Sequence, residues 1–303
     1  MASAQVKAWI SAFRLRTLPL ALASIFLGSF IAYAQGDFHW VIFSLCVLTT
    51  LFLQILSNLA NDYGDSVHGA DGEHREGPSR AVQSGVISAH QMKRAMMIFG
   101  LLSLVTGLGL IFVAFASQWL MVLIFLTLGL GAIYAAIRYT SGKDPYGYKG
   151  LGDLFVLLFF GLVGVGGSYF LYTQSWDWSV LLPAFGCGFL AVGVLNVNNI
   201  RDIKSDELSG KRSIPVRIGR KNAVYYHWFL LTAAIGAAVV YTLLNYHSAW
   251  QWLFVITLPL LFVNGRAVDQ KTTAQSLDPY LKQLAMTTLL YVVSFGVGLV
   301  IAW

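Results

Sequence analysis

Apolar residues in this chain gather into blocks long enough to cross a bilayer, for which about 20 residues suffice. The blocks fall near 18–35, 40–60, 95–115, 118–137, 152–172, 179–198, 223–244, 249–264 and 284–302. They predict an all-α, polytopic membrane protein with nine transmembrane helices. Between them the two longest polar stretches, about 61–94 and 199–222, follow the second and sixth blocks. No low-complexity tract or polar linker divides the chain, so residues 1–303 are expected to form one integral-membrane domain. The polar stretches lie four spans apart, which hints at a weak internal repeat presenting two equivalent sites to a shared cavity.

Each polar stretch opens on a short acidic segment. The first is Asn58-Leu-Ala-Asn-Asp62-Tyr-Gly-Asp65 and the second Asn198-Asn-Ile-Arg-Asp202-Ile-Lys-Ser-Asp206. In both, an Asn stands four residues before an Asp, and another Asp follows three or four residues later. On a helix all three share one face.

Composition agrees with the bilayer reading: 57% of residues are hydrophobic and 11% charged, against roughly 45–50% and 25% in soluble domains. Lys and Arg collect in cytoplasmic loops of membrane proteins, and here the bias is complete. All 20 basic residues lie in the N-terminal segment or in the loops after blocks 2, 4, 6 and 8. The loops near 36–39, 116–117, 173–178 and 245–248 contain none. The N-terminus is therefore predicted cytoplasmic and Trp303 on the far side. Topology also accounts for the net charge of +6 better than nucleic-acid binding, which needs a basic face on a soluble module. Cys46 and Cys187 fall inside apolar blocks and read as small buried residues, with no disulfide expected. Arg14 and Arg16 precede a first block without a small-residue cleavage site, so that block is expected to stay as a span.

Many glycines interrupt the blocks, among them Gly107, Gly109, Gly129, Gly131, Gly161 and Gly164, and read as close-packing positions. Gly164-Val-Gly166-Gly167 lies mid-span with no strand before it and is no nucleotide fingerprint. His68, His74 and His90 lack helical metal spacing, and no nucleophile-base arrangement is recognisable.

The acidic segments carry more chemistry. An Asp at the centre of a span costs roughly 2.5–3.5 kcal/mol on insertion scales, and Asp62, Asp65, Asp202 and Asp206 avoid most of that by sitting at helix ends. Water-facing acids paired with Arg75 or Lys204 would explain a lone example; two matched clusters, each with an Asn, point to a metal. Mg2+ needs only a few carboxylates when phosphate oxygens and waters complete its octahedron. Two facing clusters would suit a diphosphate, whose remaining charge calls for cations. Arg80, Lys143, Lys211 and Arg212 are candidates on the same side. Tyr63, Tyr139, Tyr146 and Tyr148 stand beside these loops, where a π-face could shield a cation; most other aromatics are expected in the membrane core or interface.

Asn58-x-x-Asn61-Asp62-x-x-Asp65 with Asp202-x-x-x-Asp206 resembles the intramembrane aromatic prenyltransferases of the UbiA superfamily, which carry two Asp-rich motifs after helices 2 and 6. Longer strings narrow the resemblance: Arg16-Thr-Leu-Pro19, Gln54-Ile-Leu-Ser-Asn-Leu-Ala-Asn-Asp-Tyr-Gly-Asp65, Pro145-Tyr-Gly-Tyr148, Gly150-Leu-Gly-Asp153, Gly210-Lys-Arg212 and Val216-Arg-Ile-Gly219. Together, end to end, they are similar to the 1,4-dihydroxy-2-naphthoate polyprenyltransferases of menaquinone synthesis.

That resemblance implies helices around a central cavity capped by cytoplasmic loops, in a bacterial plasma (inner) membrane. It implies Mg2+-dependent transfer of a polyprenyl chain from polyprenyl diphosphate to 1,4-dihydroxy-2-naphthoate, with loss of CO2. By analogy Asn58, Asp62, Asp65, Asp202 and Asp206 would bind Mg2+-diphosphate, with Asn61 and Asn198 in support. Arg80, Lys143, Lys211 and Arg212 would grip the diphosphate, and Asp153, Tyr146 and Tyr148 would arrange the acceptor. The wider superfamily often adds an Asp four residues after Asp65. Here that position is Gly69, and Asp71 is the nearest replacement. Other acceptors such as 4-hydroxybenzoate remain open, as does an ion-coupled transporter, whose acids should lie near the midplane rather than at one rim.

Overall fold

The computed structural model describes residues 2–67 and 81–303. Asp71, Arg75, Arg80, His68 and His74 lie outside the described residues. Among the described residues there are helices and turns but no strand. Nine helices of the described residues are long and apolar enough to cross a membrane: α1 (Ala4–Ala34), α2 (Trp40–Val67), α3 (Ala89–Phe115), α4 (Trp119–Arg138), α5 (Gly152–Thr173), α6 (Trp178–Arg201), α7 (Ile214–Leu244), α8 (Ala249–Gln270) and α9 (Ala274–Ala302). Several run past their apolar blocks on the side that carries the basic residues. Hydropathy marks the part of a helix suited to lipid, whereas i to i−4 hydrogen bonding continues into water. The added turns of α2 carry the first acidic segment.

α8 opens with a 3-10 stretch over Ala249–Thr257, and α1, α5 and α7 also depart from the regular span the sequence predicts. α1 is broken at Arg14, whose backbone is left-handed with φ of 48°. A tight turn over Leu15–Thr17 follows, and Pro19 sits in the first turn of the resumed helix, where a missing N–H costs nothing. α5 is π-helical over Leu157–Gly167. This run contains four glycines, which hold a helix less firmly than other residues. Wide π turns of this kind are frequent at functional sites. In α7, Gly219 adopts φ of 77° and kinks the helix after the Val216-Arg-Ile-Gly219 string.

α6 is the centre of the bundle, with 72% of its most apolar window buried, while α4 has 6% buried and lies at the periphery. α6 packs on α5, α7 and α9; α9 in turn packs on α1 and α8; α2, α3 and α4 form a second group joined through α1. Lipid is as apolar as leucine, so packing and interhelical hydrogen bonds hold such a bundle rather than water exclusion. Ser29 Oγ meets Tyr172 Oη at 2.9 Å, His227 Nε2 meets Asn264 Oδ1 at 2.9 Å, and Asn264 Nδ2 donates to Gln283 Oε1 at 2.6 Å. Cys46 and Cys187 are both buried, as expected. The glycines divide: a methyl group on Gly161 would stand 2.7 Å from the Ala184 carbonyl of α6, whereas Gly129 and Gly131 on α4 face open space and pack against nothing.

Trp40, Trp119, Trp178 and Trp250, all more than half exposed, stand beside the loops without basic residues. They form an aromatic belt of the kind found where a membrane meets water.

Candidate active site

Asn58, Asn61, Asp62 and Asp65 lie on one helix, α2, as their spacing requires. Gly64 lets this helix approach the turn after α4, because a methyl group there would meet the Thr140 carbonyl oxygen at 2.5 Å. Across that contact Thr140 Oγ1 donates to Asn61 Oδ1 at 3.1 Å and to the Ala60 carbonyl at 3.1 Å. Asp62 is buried, and its two oxygens accept from the backbone N–H groups of Ala81 (3.2 Å) and Val82 (3.3 Å). Asp65 accepts from the Tyr148 hydroxyl at 2.9 Å.

The second segment is not one continuous helix. α6 ends at Arg201, Asp202 leaves helical geometry (φ −98°, ψ 10°), and a short helix resumes over Ile203–Leu208. The i to i−4 bonds survive the break, from Asp202 N to Asn198 O (3.1 Å) and from Asp206 N to Asp202 O (2.8 Å), so the three residues keep helical spacing. Gly210, with φ of 74°, then closes the short helix: its N–H bonds the Glu207 carbonyl at 3.1 Å, and the Lys211 N–H bonds the Asp206 carbonyl at 2.8 Å. This left-handed cap turns Lys211 back onto the helix, where Nζ lies 3.1 Å from Asp206 Oδ1. Ser213 Oγ donates to the other Asp206 oxygen at 3.2 Å.

Both segments face one cavity of about 490 Å³, lined by Asn61, Asp62 and Asp65 from α2, by Asn198, Asp202 and Asp206, and by Lys211 and Arg201. The break in α1 adds Arg14 and Arg16 to its wall. A second cavity of about 320 Å³ between α1, α2, α4 and α5 is lined mainly by apolar side chains. Gln54, Asn61, Tyr139, Val156, Phe160 and Leu195 line both. The π-helical stretch of α5 supplies Phe159, Phe160, Val163 and Gly164 to the apolar one.

The charges in the polar cavity hold one another. Burial alone would drive the proton off Lys211, but Asp206, Tyr139, Asp65 and Asp202 outweigh it and raise its pKa above the ordinary lysine value. Burial raises the Asp206 pKa and Asp202 adds to that, against Lys211 and Ser213, which favour the carboxylate. The Tyr139 phenol, at the junction of the two cavities, is pushed up to about 12, chiefly by burial, and stays protonated.

Not every residue predicted from the sequence reaches the cavities. Asn58 is buried one turn below the carboxylates; its amide donates to the Phe13 carbonyl (2.9 Å) and Thr17 Oγ1 (3.0 Å), clamping the break in α1, and it lines only the apolar cavity. Asp153 accepts from the Tyr226 hydroxyl at 3.0 Å and lines neither cavity. Lys143 and Arg212 are exposed outside both. The Arg212 N–H instead bonds the Tyr148 carbonyl at 2.8 Å, tying two loops together. Tyr146 lines the apolar cavity, stacked on Phe155 with ring centroids 4.0 Å apart. The sequence reading missed Arg14, Arg16 and Arg201. Arg16 had a signal in the Arg-Thr-Leu-Pro string, and Arg201 in its place between Asn198 and Asp202.

Among the described residues no three His, Cys, Asp or Glu side chains converge closely enough to hold a metal by themselves. The donor set fits a cation shared with a ligand: hard carboxylate and amide oxygens from two walls of one cavity, with cations beside them. This is how Mg2+ binds when phosphate oxygens and water complete its shell.

A nine-span helical bundle with acidic segments and buried cations at one rim, opening onto an apolar gallery, defines an intramembrane enzyme for an amphiphilic, anionic substrate. The model of the UbiA prenyltransferase family matches residues 21–286, and the chain belongs to that family. Among its relatives is a 1,4-dihydroxy-2-naphthoate octaprenyltransferase of Haemophilus influenzae, 44% identical, with 99% of this chain and 98% of the relative covered. The protein of the same name from Escherichia coli is 43% identical, with 97% and 96% covered. The fold matches the structure of a UbiA homolog from Archaeoglobus fulgidus bound to DMAPP and Mg2+, with a TM-score of 0.64, 18% identity and 95% and 99% of the two chains covered.

Proposed function

We propose that this protein transfers a polyprenyl chain from polyprenyl diphosphate to 1,4-dihydroxy-2-naphthoate, with loss of diphosphate and CO2, as a step of menaquinone synthesis. The observation that carries this reading is the pairing of the two cavities. A carboxylate-and-cation chamber suits a metal-bound diphosphate, and the gallery beside it suits the prenyl tail. The names of the relatives at 43–44% identity supply the acceptor and the reaction.

Asp62, Asp65, Asp202 and Asp206, supported by Asn61 and Asn198, are the residues that would hold Mg2+ with the diphosphate. Mg2+ bound there would supply charge neutralisation for the leaving group. Lys211, Arg201 and Arg16 face the same chamber and stabilise the negative charge that grows on the diphosphate as the allylic C–O bond breaks. The bonding pair leaves with the diphosphate, and the prenyl carbon becomes cationic. The ring carbon that bears the carboxylate attacks it, a C–C bond forms, and the carboxylate departs as CO2, returning its electron pair to the ring. The product is the quinol, which gives demethylmenaquinone on oxidation. Tyr139, at the junction of the cavities, offers a ring face to the cation. Phe155, Phe159 and Phe160 keep water from it. α4, the least buried helix, borders the gallery, so a long tail can continue along it into lipid.

We place the protein in the bacterial inner membrane with the chamber toward the cytoplasm, because every Lys and Arg belongs to the N-terminal segment or to alternate loops. The test is product mass analysis with purified protein, polyprenyl diphosphate and an equimolar mixture of dihydroxynaphthoate and 4-hydroxybenzoate. The expected product is prenylated naphthoate less CO2, formed only with a divalent cation and lost in Asp62→Asn and Asp202→Asn. Prenylated hydroxybenzoate as the main product would overturn the acceptor. Turnover after complete chelation would overturn the metal reading.

A further inference from the structure

Arg201 has a heavily engaged side chain at the rim. With only 3% of its side chain exposed, its Nε and Nη2 donate to the two oxygens of Asp202, each at 2.7 Å. Nη2 also reaches Asn198 Oδ1 at 3.0 Å. The remaining nitrogen, Nη1, donates to Asp278 Oδ1 at 2.6 Å, and the other Asp278 oxygen lies 3.5 Å from Arg16 Nη1. A chain of charge therefore runs Asp202, Arg201, Asp278, Arg16, from the second acidic segment through the start of α9 to the break in α1. Bidentate guanidinium-carboxylate pairs are among the stronger charge-assisted contacts, and this one occupies both oxygens of a carboxylate proposed to bind metal.

We propose that Arg201 competes with the metal for Asp202, and that Asp278 sets the strength of that competition. The inference rests on the metal-diphosphate reading above. Without diphosphate the guanidinium neutralises Asp202. When an anionic diphosphate enters, Arg201 keeps its bond to Asp278 and turns its other donors to phosphate oxygens, freeing Asp202 for the cation. Diphosphate and metal then load together, and the bare chamber holds a cation weakly. No bond is made or broken in this exchange beyond hydrogen bonds and ion pairs. Asp278 matters because a guanidinium shared between two carboxylates is held less tightly by either one.

The experiment is a Mn2+ titration of the detergent-purified full chain with no diphosphate present, free Mn2+ being read by electron paramagnetic resonance. Arg201→Gln should bind Mn2+ about tenfold more tightly than the wild type, the equivalent of about 1.4 kcal/mol of charge-assisted bonding that no longer has to be broken. Arg201→Lys, which keeps the charge but loses the fork, should fall between them. Asp278→Asn, which leaves Asp202 as the one carboxylate paired with Arg201, should bind more weakly than the wild type. A merely structural role for Arg201 would weaken metal binding on its removal, so the sign of the change decides. Should Arg201→Gln fail to fold, the rank of Arg201→Lys above the wild type and of Asp278→Asn below it carries the same test. Binding unchanged or weaker in the folded Arg201 variants overturns the proposal, as does the absence of Mn2+ binding in all of them. If turnover nonetheless depends on Mg2+ in the mass assay, only the Arg201 exchange has failed; if it does not, the metal reading has failed as well.

Discussion

Replacing Lys211 by Gln probes how this rim tolerates charge. The ammonium lies 3.1 Å from Asp206 Oδ1, with the two side chains 12% and 9% exposed. Removing one member of a buried pair leaves the other uncompensated, at a cost of about 3–5 kcal/mol. Ser213 still donates to Asp206, which places the expected loss at the lower end, about 3 kcal/mol. The folded-state pKa of Asp206 is already raised by burial, and losing Lys211 raises it further. A carboxyl raised in this way contributes stability in its protonated form at low pH and loses that contribution as pH rises through its folded value. The deficit of Lys211→Gln should therefore be largest near neutral pH and shrink as pH falls toward the ordinary carboxyl range. The assay is unfolding of the detergent-purified protein across that pH range, for wild type, Lys211→Gln, Asp206→Asn and the double variant. The double variant should recover most of the single loss, because no buried charge is left alone. A pH-independent deficit, or a double variant no more stable than Lys211→Gln, would refute the reasoning.

Gly64→Ala forces a methyl group to within 2.5 Å of the Thr140 carbonyl oxygen; it should cost about 1–3 kcal/mol by overpacking and lower prenyl transfer, measured by unfolding and by turnover in the same preparation. Tyr148→Phe removes the 2.9 Å bond to Asp65, a hydrogen bond to a charged group worth about 1.5–3 kcal/mol; the Mg2+ concentration for half-maximal turnover should rise with little change in fold. For topology, Lys143→Cys should react with a membrane-impermeant maleimide only from the cytoplasmic side and Tyr246→Cys only from the opposite side, while the buried Cys46 and Cys187 stay unlabelled; labelling of both new cysteines from one side would overturn the orientation.

Much of the bundle was legible because membrane spans announce themselves locally. A block of apolar residues must be helical in lipid, where every backbone polar group needs an internal partner. The spacing of Asn58, Asp62 and Asp65 likewise specified a shared helical face. Other features depend on partners distant in the chain. Asn58 and Asp62 look alike in sequence, yet Asn58 holds the α1 break while Asp62 reaches the cavity wall and holds the backbone at Ala81 and Val82. Lys143 and Arg212 carry the charge a diphosphate needs but lie outside the chamber lining, whereas Arg201 carries it and lines the wall.

The sequence by itself determined the nine spans, the side on which charge gathers and the carboxylates offered to a cation, because each follows from short-range periodicity and from the cost of charge in lipid. The tertiary structure decided which cations share the chamber, that Asp153 lies outside it, and that a π-helical wall joins it to an apolar gallery. Those outcomes depend on how α1, α5 and α6 pack and break, and packing between elements far apart in the chain leaves no mark in the local pattern of any one of them.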